Sequence, residues 1–438
     1  MIESIGLIGG LILLIYMAMK GVNIMIAAPI CAVFVGFMGG IAWFPQLAAE
    51  GTSDMATSYM AGFSGFIASW FLMFMLGAIF GKVMEDSGAA DSIAHWILAK
   101  LGSKHALLAV VLTCATLTYG GVSVFIVAFS VYPMALALFK KADLPRRFLP
   151  AVIAFGSVTF TMTTAGSPEI QNWIPIKFLG TTSYAGWEVS IVVAIFMASF
   201  GYVWMKHMVR KAVANGEKYD ERPDDPQFDE EKSLPDPIIS MVPLIIVLGF
   251  SFGFHDLLAQ NALVIALFAG VISAIFINKK YFTNIGAALS AGTAGALIAI
   301  GNTASVVGFG TVAKASPAFM IFVDAMTGLP GHELLSAAVA VTVIAGLTGS
   351  ASGGQSIALP ILAPHYLETG VDPEALHRVV AISSGALDSL PHNGYVVTTI
   401  RSICGEDHKT AYAPLGALTV IVPMFGLALG LGLFILWG

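Results

Sequence analysis

The chain of 438 residues has a composition that excludes a soluble globular protein. Hydrophobic residues make up 57% of it and charged residues 11%, whereas soluble domains average roughly 45–50% and 25%. The net charge of −6 is spread over loops without a basic stripe, so no nucleic-acid partner is expected. Apolar stretches recur from end to end, and the sequence therefore predicts an all-α polytopic membrane protein surrounded by lipid.

Several stretches are long and apolar enough to span a membrane as single helices. Two further apolar stretches, 104–185 and 332–404, are interrupted by Gly, Pro, Ser and Thr. An acidic segment at 210–236 divides the chain, and its polarity predicts a cytoplasmic linker and not a domain. In chain order, the uninterrupted spans are residues 5–19, 22–44, 63–82, 187–207, 237–254, 258–277, 287–310 and 412–436.

The positions of Lys and Arg predict how these segments cross the membrane. Every Lys and Arg except Lys177, Lys314 and Arg378 faces the cytoplasm if residues 104–139 and 332–367 are re-entrant hairpins. A single crossing at either place would invert the rest of the chain and destroy this agreement. In the resulting topology both termini are extracytoplasmic.

The two halves of the chain, residues 1–209 and 237–438, carry matching features in the same order. FGKVMEDS at Phe80–Ser87 matches FGTVAKAS at Phe309–Ser316, and Gly, Pro and Val matches follow at a nearly constant offset. The charge pattern gives matching elements opposite orientations, which is typical of inverted repeats in secondary transporters. The alternative to an internal repeat is that the matches arise by chance from the similar composition of the two halves. Each predicted half holds one hairpin and one broken helix, the latter at 145–185 and 374–404.

Four polar segments containing Gly or Pro interrupt the membrane region: hairpin tips 118–123 and 348–356, and helix breaks 161–172 and 387–394. Irregular backbone at membrane depth is tolerated only where protein or a water-filled cavity satisfies it. Half-helix ends with Ser, Thr and Asn oxygens suit an anion or a cation. Such small residues also serve helix packing, but their recurrence at matched positions favours a binding site.

Glu169, Asp388 and His392 fall at mid-membrane in this topology. Ionisable groups are costly there, so function is the default hypothesis. Asp388 with His392 is predicted to handle a coupling proton, and Glu169 is a further candidate. The alternatives are a helix cap for Asp388 and a structural hydrogen bond for His392.

The interrupted segments resemble the gluconate permease family, which belongs to the wider ion transporter superfamily and contains proton-coupled symporters of sugar acids and hydroxy-acids. The resemblance extends over essentially the whole chain. It is strongest in AGSPEIQNWIPIKFLGTTSYAGW at Ala165–Trp187, SASGGQSIALPILAP at Ser350–Pro364 and SSGALDSLPHNG at Ser383–Gly394. It implies a homodimer in a bacterial inner membrane, with both hairpins and both broken helices on a mobile part that moves as an elevator.

The resemblance also implies substrate-binding residues at the four interruptions. One position departs from the sugar-acid branch of the family, which places an acidic residue directly after the asparagine of the second break. Here Gly394 follows Asn393, so a smaller hydroxy-monocarboxylate is as consistent as gluconate. The implied residues are Gly120, Gly121 and Ser123 in tip one; Thr163, Thr164, Gly166 and Ser167 in the first break; Ser350, Ser352, Gly353 and Gly354 in tip two; and Ser389, Asn393 and Gly394 in the second break, beside His392.

The sequence therefore predicts a secondary active importer of a small organic anion by proton symport. A sodium-coupled symporter is the alternative, because Ser and Thr oxygens at the tips can also bind Na⁺. An anion channel is less favoured, because channels need a continuous polar lining and the mid-membrane acids are few. No motif of a metalloprotease, serine hydrolase or phosphate-binding loop occurs, so no enzyme activity, metal site or cofactor is predicted.

Overall fold

The computed structural model describes residues 2–20, 22–49, 52–222, 233–391 and 393–437. Within these ranges the chain is almost entirely helical, and the β structure is an isolated bridge between Ala42 and Asp54. The prediction of an all-α polytopic membrane protein is confirmed. The helices are α1 (Ile2–Met19), α2 (Ile24–Met38), α3 (Met55–Asp86), α4 (Ala89–Leu101), α5 (Ala106–Tyr119), α6 (Val124–Lys141), α7 (Leu149–Ala154), α8 (Ile176–Leu179), α9 (Trp187–Ala214), α10 (Pro237–Leu258), α11 (Asn261–Ile277), α12 (Ile285–Ala315), α13 (Pro317–Thr327), α14 (Glu333–Thr348), α15 (Ala351–Glu368), α16 (Pro373–Ser384), α17 (Gly394–Val397), α18 (His408–Gly416) and α19 (Val422–Trp437).

Helices long and apolar enough to cross a membrane are distributed over both halves of the described chain. They are α3, α6, α9, α10, α12 and the continuous segment His408–Leu436, which joins α18 to α19. Their surfaces fit a lipid environment: Ile5, Ile8 and Ile12 form an exposed stripe along the shorter apolar helix α1, at the spacing of one helix face.

Some helix ends differ from the sequence prediction for local backbone reasons. Helix α2 ends at Met38 and not near residue 44, because the chain turns at Gly40, where φ is +66°. Glycine adopts this left-handed conformation without the steric penalty that a side chain brings. Helix α9 continues to Ala214, inside the segment predicted as a linker from residue 210, and Gly216 with φ of +88° follows it.

The two longest helices, α3 with 32 residues and α12 with 31, pack along each other. Small residues allow the close approach. A Cβ atom on Gly292 of α12 would lie 2.7 Å from the Cα atom of Ile79 in α3. Glycine at such a crossing is a common way for membrane helices to bring their backbones together.

At the positions of the two predicted re-entrant hairpins, the chain forms paired helices joined by tight turns. Helices α5 and α6 are linked through residues 120–123, and α14 and α15 through Gly349 and Ser350. Helices α5 and α14 have 14 and 16 residues. At 1.5 Å per residue they reach only about 21 and 24 Å, less than the roughly 30 Å of hydrocarbon in a bilayer.

Both broken helices contain an irregular segment and a π-helical turn. The first continues from α7 through a π-helical turn at Phe155–Thr159 into irregular chain that ends at α8. The second loses helical structure after Ser384, and α17 then continues into a π-helical turn at Thr398–Ile403. Such turns occur mostly as single insertions in helices and frequently near functional sites.

Ion pairs connect the predicted broken helices to the start of the segment predicted as a linker. Arg147 donates two hydrogen bonds to Glu217, at 2.6 and 2.8 Å. Arg146 lies 3.3 Å from a carboxylate oxygen of Glu406, and Arg222 lies 3.0 Å from the same oxygen. Residues at the start of the first predicted broken helix, after the second and in the predicted linker therefore lie close together.

Candidate functional site

Hairpin tip one contacts the first helix break. The Tyr119 hydroxyl donates a hydrogen bond to the carbonyl oxygen of Ala165 at 2.7 Å. Gly121, with φ of +95°, also lies beside the break: an added Cβ atom would be in ordinary van der Waals contact with Cγ of Pro168, at 3.5 Å. The left-handed backbone conformation favours glycine at this position.

Hairpin tip two contacts the second helix break. Asn393 donates from Nδ2 to the carbonyl oxygen of Gly349 at 3.0 Å, while its Oδ1 accepts from the Val396 N–H at 2.9 Å. The same side chain therefore caps α17 and binds the hairpin turn. Behind the tip, a Cβ atom on Gly346 would lie 3.0 Å from Cβ of Leu387.

Contacts between the halves bring the four interruptions into one region. Gln355 of α15 donates to the carbonyl oxygen of Gln171 in the first break at 3.1 Å. A Cβ atom on Gly385, at the second break, would lie 3.1 Å from Cγ2 of Thr163 in the first. Each break thus contacts the other as well as its own hairpin.

The predicted substrate-binding residues differ in how accessible they are. Most are buried, and three reach solvent or lipid in part. Ser123 and Ser350 are half-buried, and Gly394 is exposed. The buried ones are Gly120, Gly121, Thr163, Thr164, Gly166, Ser167, Ser352, Gly353, Gly354, Ser389 and Asn393.

Several predicted hydroxyl ligands already bond within the chain. The Ser350 Oγ accepts from the Gly353 N–H at 3.1 Å and lies 3.4 Å from the Ser352 Oγ. It therefore caps the first turn of α15, in the geometry usual for a helix N-cap. The Thr164 hydroxyl donates to the carbonyl oxygen of Phe160, which leaves its oxygen able to accept.

The predicted proton-handling residues lie at the breaks. Asp388 is 6% exposed and accepts a hydrogen bond from the Ser389 hydroxyl at 3.0 Å. The Tyr412 hydroxyl donates to the Ser389 carbonyl oxygen at 3.3 Å. Glu169 is half-buried between the first break and its short 3-10 turn. His392, the predicted partner of Asp388, lies outside the described residues.

The sequence analysis did not predict Arg378 as part of this region. It treated Arg378 only as one of the three Lys and Arg residues that do not face the cytoplasm. In the structure it is completely buried and bonds to the first break. The available signal was a lone arginine in the predominantly apolar run RVVAISS, five residues after Pro373. Charged residues in such positions usually have specific polar partners.

A cavity of about 350 Å³ lies beside tip one and the first break. Thr164 is the predicted site residue in its wall, and none of the described residues of tip two or of the second break lines it. Its opposite wall belongs to α9, where Ile191 and Ile195 are exposed. The cavity therefore opens towards the outer surface of the helices and is not enclosed by the four interruptions.

Over the ranges that the structure describes, no three His, Cys, Asp or Glu side chains converge in the way a metal ion requires. The cysteines Cys31, Cys114 and Cys404 are buried and separate. The polar groups of the candidate site are instead hydroxyls, amides, backbone groups, two carboxyls and the guanidinium of Arg378.

Comparison with known proteins places this arrangement among membrane transporters. Residues 11–346 match the sequence model of the family described as "CitMHS: Citrate transporter". The chain is 36% identical to the uncharacterized transporter YxjC of Bacillus subtilis (strain 168), over 93% of this chain and 94% of that protein. A 148-residue region, 33% of this chain, is 30% identical to part of a high-affinity gluconate transporter of Escherichia coli (strain K12), covering 30% of that protein. The relation to gluconate permeases inferred from the sequence motifs is thereby confirmed.

Among solved structures, the YdaH transporter of Alcanivorax borkumensis has a similar fold. The TM-score is 0.57 over 100% of this chain and 99% of that chain, at 15% sequence identity. At this identity the likeness concerns the arrangement of helices. It says nothing about what the interruptions bind.

Proposed function

The chain belongs to the CitMHS citrate transporter family and is a multi-pass membrane transporter, and from this premise we propose that it imports a small organic anion by proton symport. The observation that carries the proposal is the meeting of two hairpin tips and two helix breaks in one region. Irregular backbone of this kind at membrane depth is the usual substrate site of secondary transporters. The predicted ligands listed above are the proposed substrate contacts.

The proposed substrate is a sugar acid or a hydroxy-monocarboxylate. The predicted ligands are hydroxyls, an amide and backbone groups, which suit one carboxylate and neighbouring hydroxyl groups. None of them is basic, and a tricarboxylate such as citrate would bring up to about three negative charges into a region of low dielectric. Citrate is included among the substrates to be tested because of the family description, and gluconate because one of the relatives is a gluconate transporter.

The proposed coupling ion is a proton carried by Asp388, with Glu169 as the second candidate. Asp388 is buried at the second break and contacts a hydroxyl, not a basic side chain, among the described residues. A carboxyl group in that environment exchanges a proton more readily than one held ionised by an arginine. Sodium remains the alternative, since Ser350 and Ser352 could offer oxygens to it at tip two.

We further propose that the two halves form an inverted repeat and that the protein works by an elevator motion as a homodimer. Helices recur in order and length: α3 and α12 have 32 and 31 residues, and α6 and α15 both have 18. The contacts among the tips and breaks join them into one body that could move past α3 and α12.

The test is uptake into proteoliposomes that contain the purified protein. Labelled 3-hydroxybutyrate, gluconate and citrate are offered under an imposed inward proton gradient without sodium. We expect accumulation of one monocarboxylate above its external concentration and loss of accumulation when a protonophore dissipates the gradient. Protein-free vesicles and vesicles without a gradient are the controls.

Two results would overturn parts of this proposal. Uptake that needs a sodium gradient and ignores the proton gradient would contradict proton coupling. Rapid equilibration that does not saturate and never exceeds the external concentration would indicate an anion channel instead.

A further inference from the structure

The side chain of Arg378 forms hydrogen bonds to the irregular segment that contains the first helix break. This residue lies on α16, and its side chain is completely buried. Nε donates to the carbonyl oxygen of Ala185 at 2.9 Å, and Nη2 donates to that of Ser183 at 3.0 Å. Nη1 donates to the carbonyl oxygen of Thr163 and to Oδ1 of Asn172, both at 2.6 Å. One guanidinium group therefore holds the break and the loop that precedes α9.

These carbonyl groups need such a donor because the chain around them is not helical. A buried backbone carbonyl without a partner is strongly unfavourable at membrane depth. Asn172 completes the arrangement, since its Nδ2 donates to the carbonyl oxygen of Met162 at 2.8 Å. Arg378 and Asn172 thus bind two successive carbonyls at the start of the break.

The charge of Arg378 has no carboxylate partner among the described residues. Its four bonds go to three backbone carbonyls and one amide oxygen, all neutral. Arginine keeps its positive charge in proteins, and an unpaired charge in a low-dielectric region acts over a longer range than one in water. Thr163, which Arg378 contacts directly, is followed by three of the predicted ligands: Thr164, Gly166 and Ser167.

We propose that Arg378 is the positioning residue of the first break and that its unpaired charge makes the adjacent site selective for anions. This inference rests on the proposed function for the identity of the ligand. It adds a cause for anion selectivity in a site whose predicted ligands are uncharged. Arg378 acts through Thr163 and through its field, without itself contacting the substrate.

The test compares two substitutions at Asn172. Both Asn172→Asp and Asn172→Ala remove the bond to Met162, but only aspartate retains an acceptor for Arg378 and adds a compensating negative charge. If Arg378 served only to hold the structure, Asn172→Asp would be at least as functional as Asn172→Ala. If its charge matters, Asn172→Asp is the more damaging change for an anion.

The electrostatic potential near the first break can be measured without any substrate, through the rates of cysteine modification. Cysteines are introduced as Ile170→Cys in the first break and Ser350→Cys in tip two, in a chain whose three native cysteines are replaced. Side chains at both positions are half-buried. The measured quantity is the ratio of reaction rates with an anionic and a cationic methanethiosulfonate reagent. We expect Asn172→Asp to lower this ratio about tenfold at Ile170→Cys and less at Ser350→Cys, with Asn172→Ala near the unmodified ratio.

A transport measurement tests whether the same charge affects substrate affinity. With 3-hydroxybutyrate as the probe, Asn172→Asp should raise KM about tenfold with a smaller change in maximal rate. Arg378→Lys should keep much of the rate ratio, while Arg378→Gln should lose it. Thermal unfolding of every variant identifies those that fail to fold.

The outcomes separate this inference from the proposed function. Equal rate ratios in Asn172→Asp and Asn172→Ala would overturn the charge role, as would absence of labelling at both cysteines in folded protein. A lowered ratio without wild-type uptake of any tested acid would retain the role of Arg378 and reject the proposed substrate class.

Discussion

The amide of Asn393 joins the second helix break to the turn of hairpin two. Its Nδ2 lies 3.0 Å from the carbonyl oxygen of Gly349, and its Oδ1 accepts the Val396 N–H at 2.9 Å. A movement of the hairpin relative to the break must therefore either carry Asn393 with it or break this bond. The bond offers a way to separate the role of the hairpin contact from that of the helix cap.

Replacing Asn393 with serine should weaken substrate binding without unfolding the protein. Serine can still cap α17 but is too short to reach Gly349, whereas Asn393→Ala loses both interactions. We expect Asn393→Ala to be less stable than Asn393→Ser by about 1 kcal/mol, the usual value of an N-cap. Thermal unfolding in detergent and KM in proteoliposomes measure the two effects. An unchanged KM for Asn393→Ser would remove this contact from the proposed site.

Asp388→Asn should abolish accumulation driven by a proton gradient while exchange of labelled for unlabelled substrate continues in part. The amide keeps the shape of the side chain and can still accept from Ser389, but it cannot carry a proton. Glu169→Gln is the matched comparison, and we expect a smaller loss. Accumulation at the wild-type level in Asp388→Asn, with exchange also normal, would place the coupling proton elsewhere.

Replacing two glycines among the predicted ligands with alanine should affect the stability of the protein differently. A Cβ atom on Gly354 would lie 2.6 Å from the Cα atom of Ala345 in the paired helix, whereas nothing lies within 4 Å of one on Gly394. Gly354→Ala should therefore separate α14 from α15 and destabilise the protein by about 1–3 kcal/mol. Gly394→Ala should fold normally, and any loss of transport in it would reflect binding. Detergent unfolding midpoints decide the first point, and similar midpoints for both variants would contradict it.

Much of the fold was predictable because the bilayer restricts what a chain can do. Apolar length predicted an all-α fold, which the described helices confirm. The distribution of Lys and Arg predicted two re-entrant hairpins, and the described chain forms helix pairs at both places. The short helices α4 and α13 were missed, since they are too short to give a spanning signal. They lie between the long helices and the hairpins and link them.

The candidate site was predicted as four separate segments, but their contacts could not be. Nothing in the sequence places Gln355 against Gln171, or Gly385 against Thr163, because such pairs are set by how the two halves pack. Arg378 was misjudged for the same reason. Its partners are backbone carbonyls of a distant segment, and carbonyls carry no sequence signal.

The ion pair between Arg147 and Glu217 should make stability depend on pH at the cytoplasmic side of the proposed topology. The hydrogen bonds from the Arg147 guanidinium lower the pKa of Glu217 below its ordinary value. Folding therefore gains stability from this glutamate above the ordinary pKa of about 4.3. That gain is lost as the pH falls through the lowered pKa of the folded state.

Glu217→Gln should accordingly lower the Tm at pH 7, and the difference from the wild type should shrink as the pH falls towards 3. The two side chains are 30% and 37% exposed, so water and salt screen the pair, and we expect a contribution of only about 0.2–1 kcal/mol. Glu221→Gln is the control, because its partner Lys140 is more exposed and the effect should be smaller. Unfolding midpoints of the three proteins between pH 3 and 7, at low and high salt, test this directly. A Tm difference for Glu217→Gln that persists unchanged at pH 3 would mean that the glutamate contributes through packing and not through its charge.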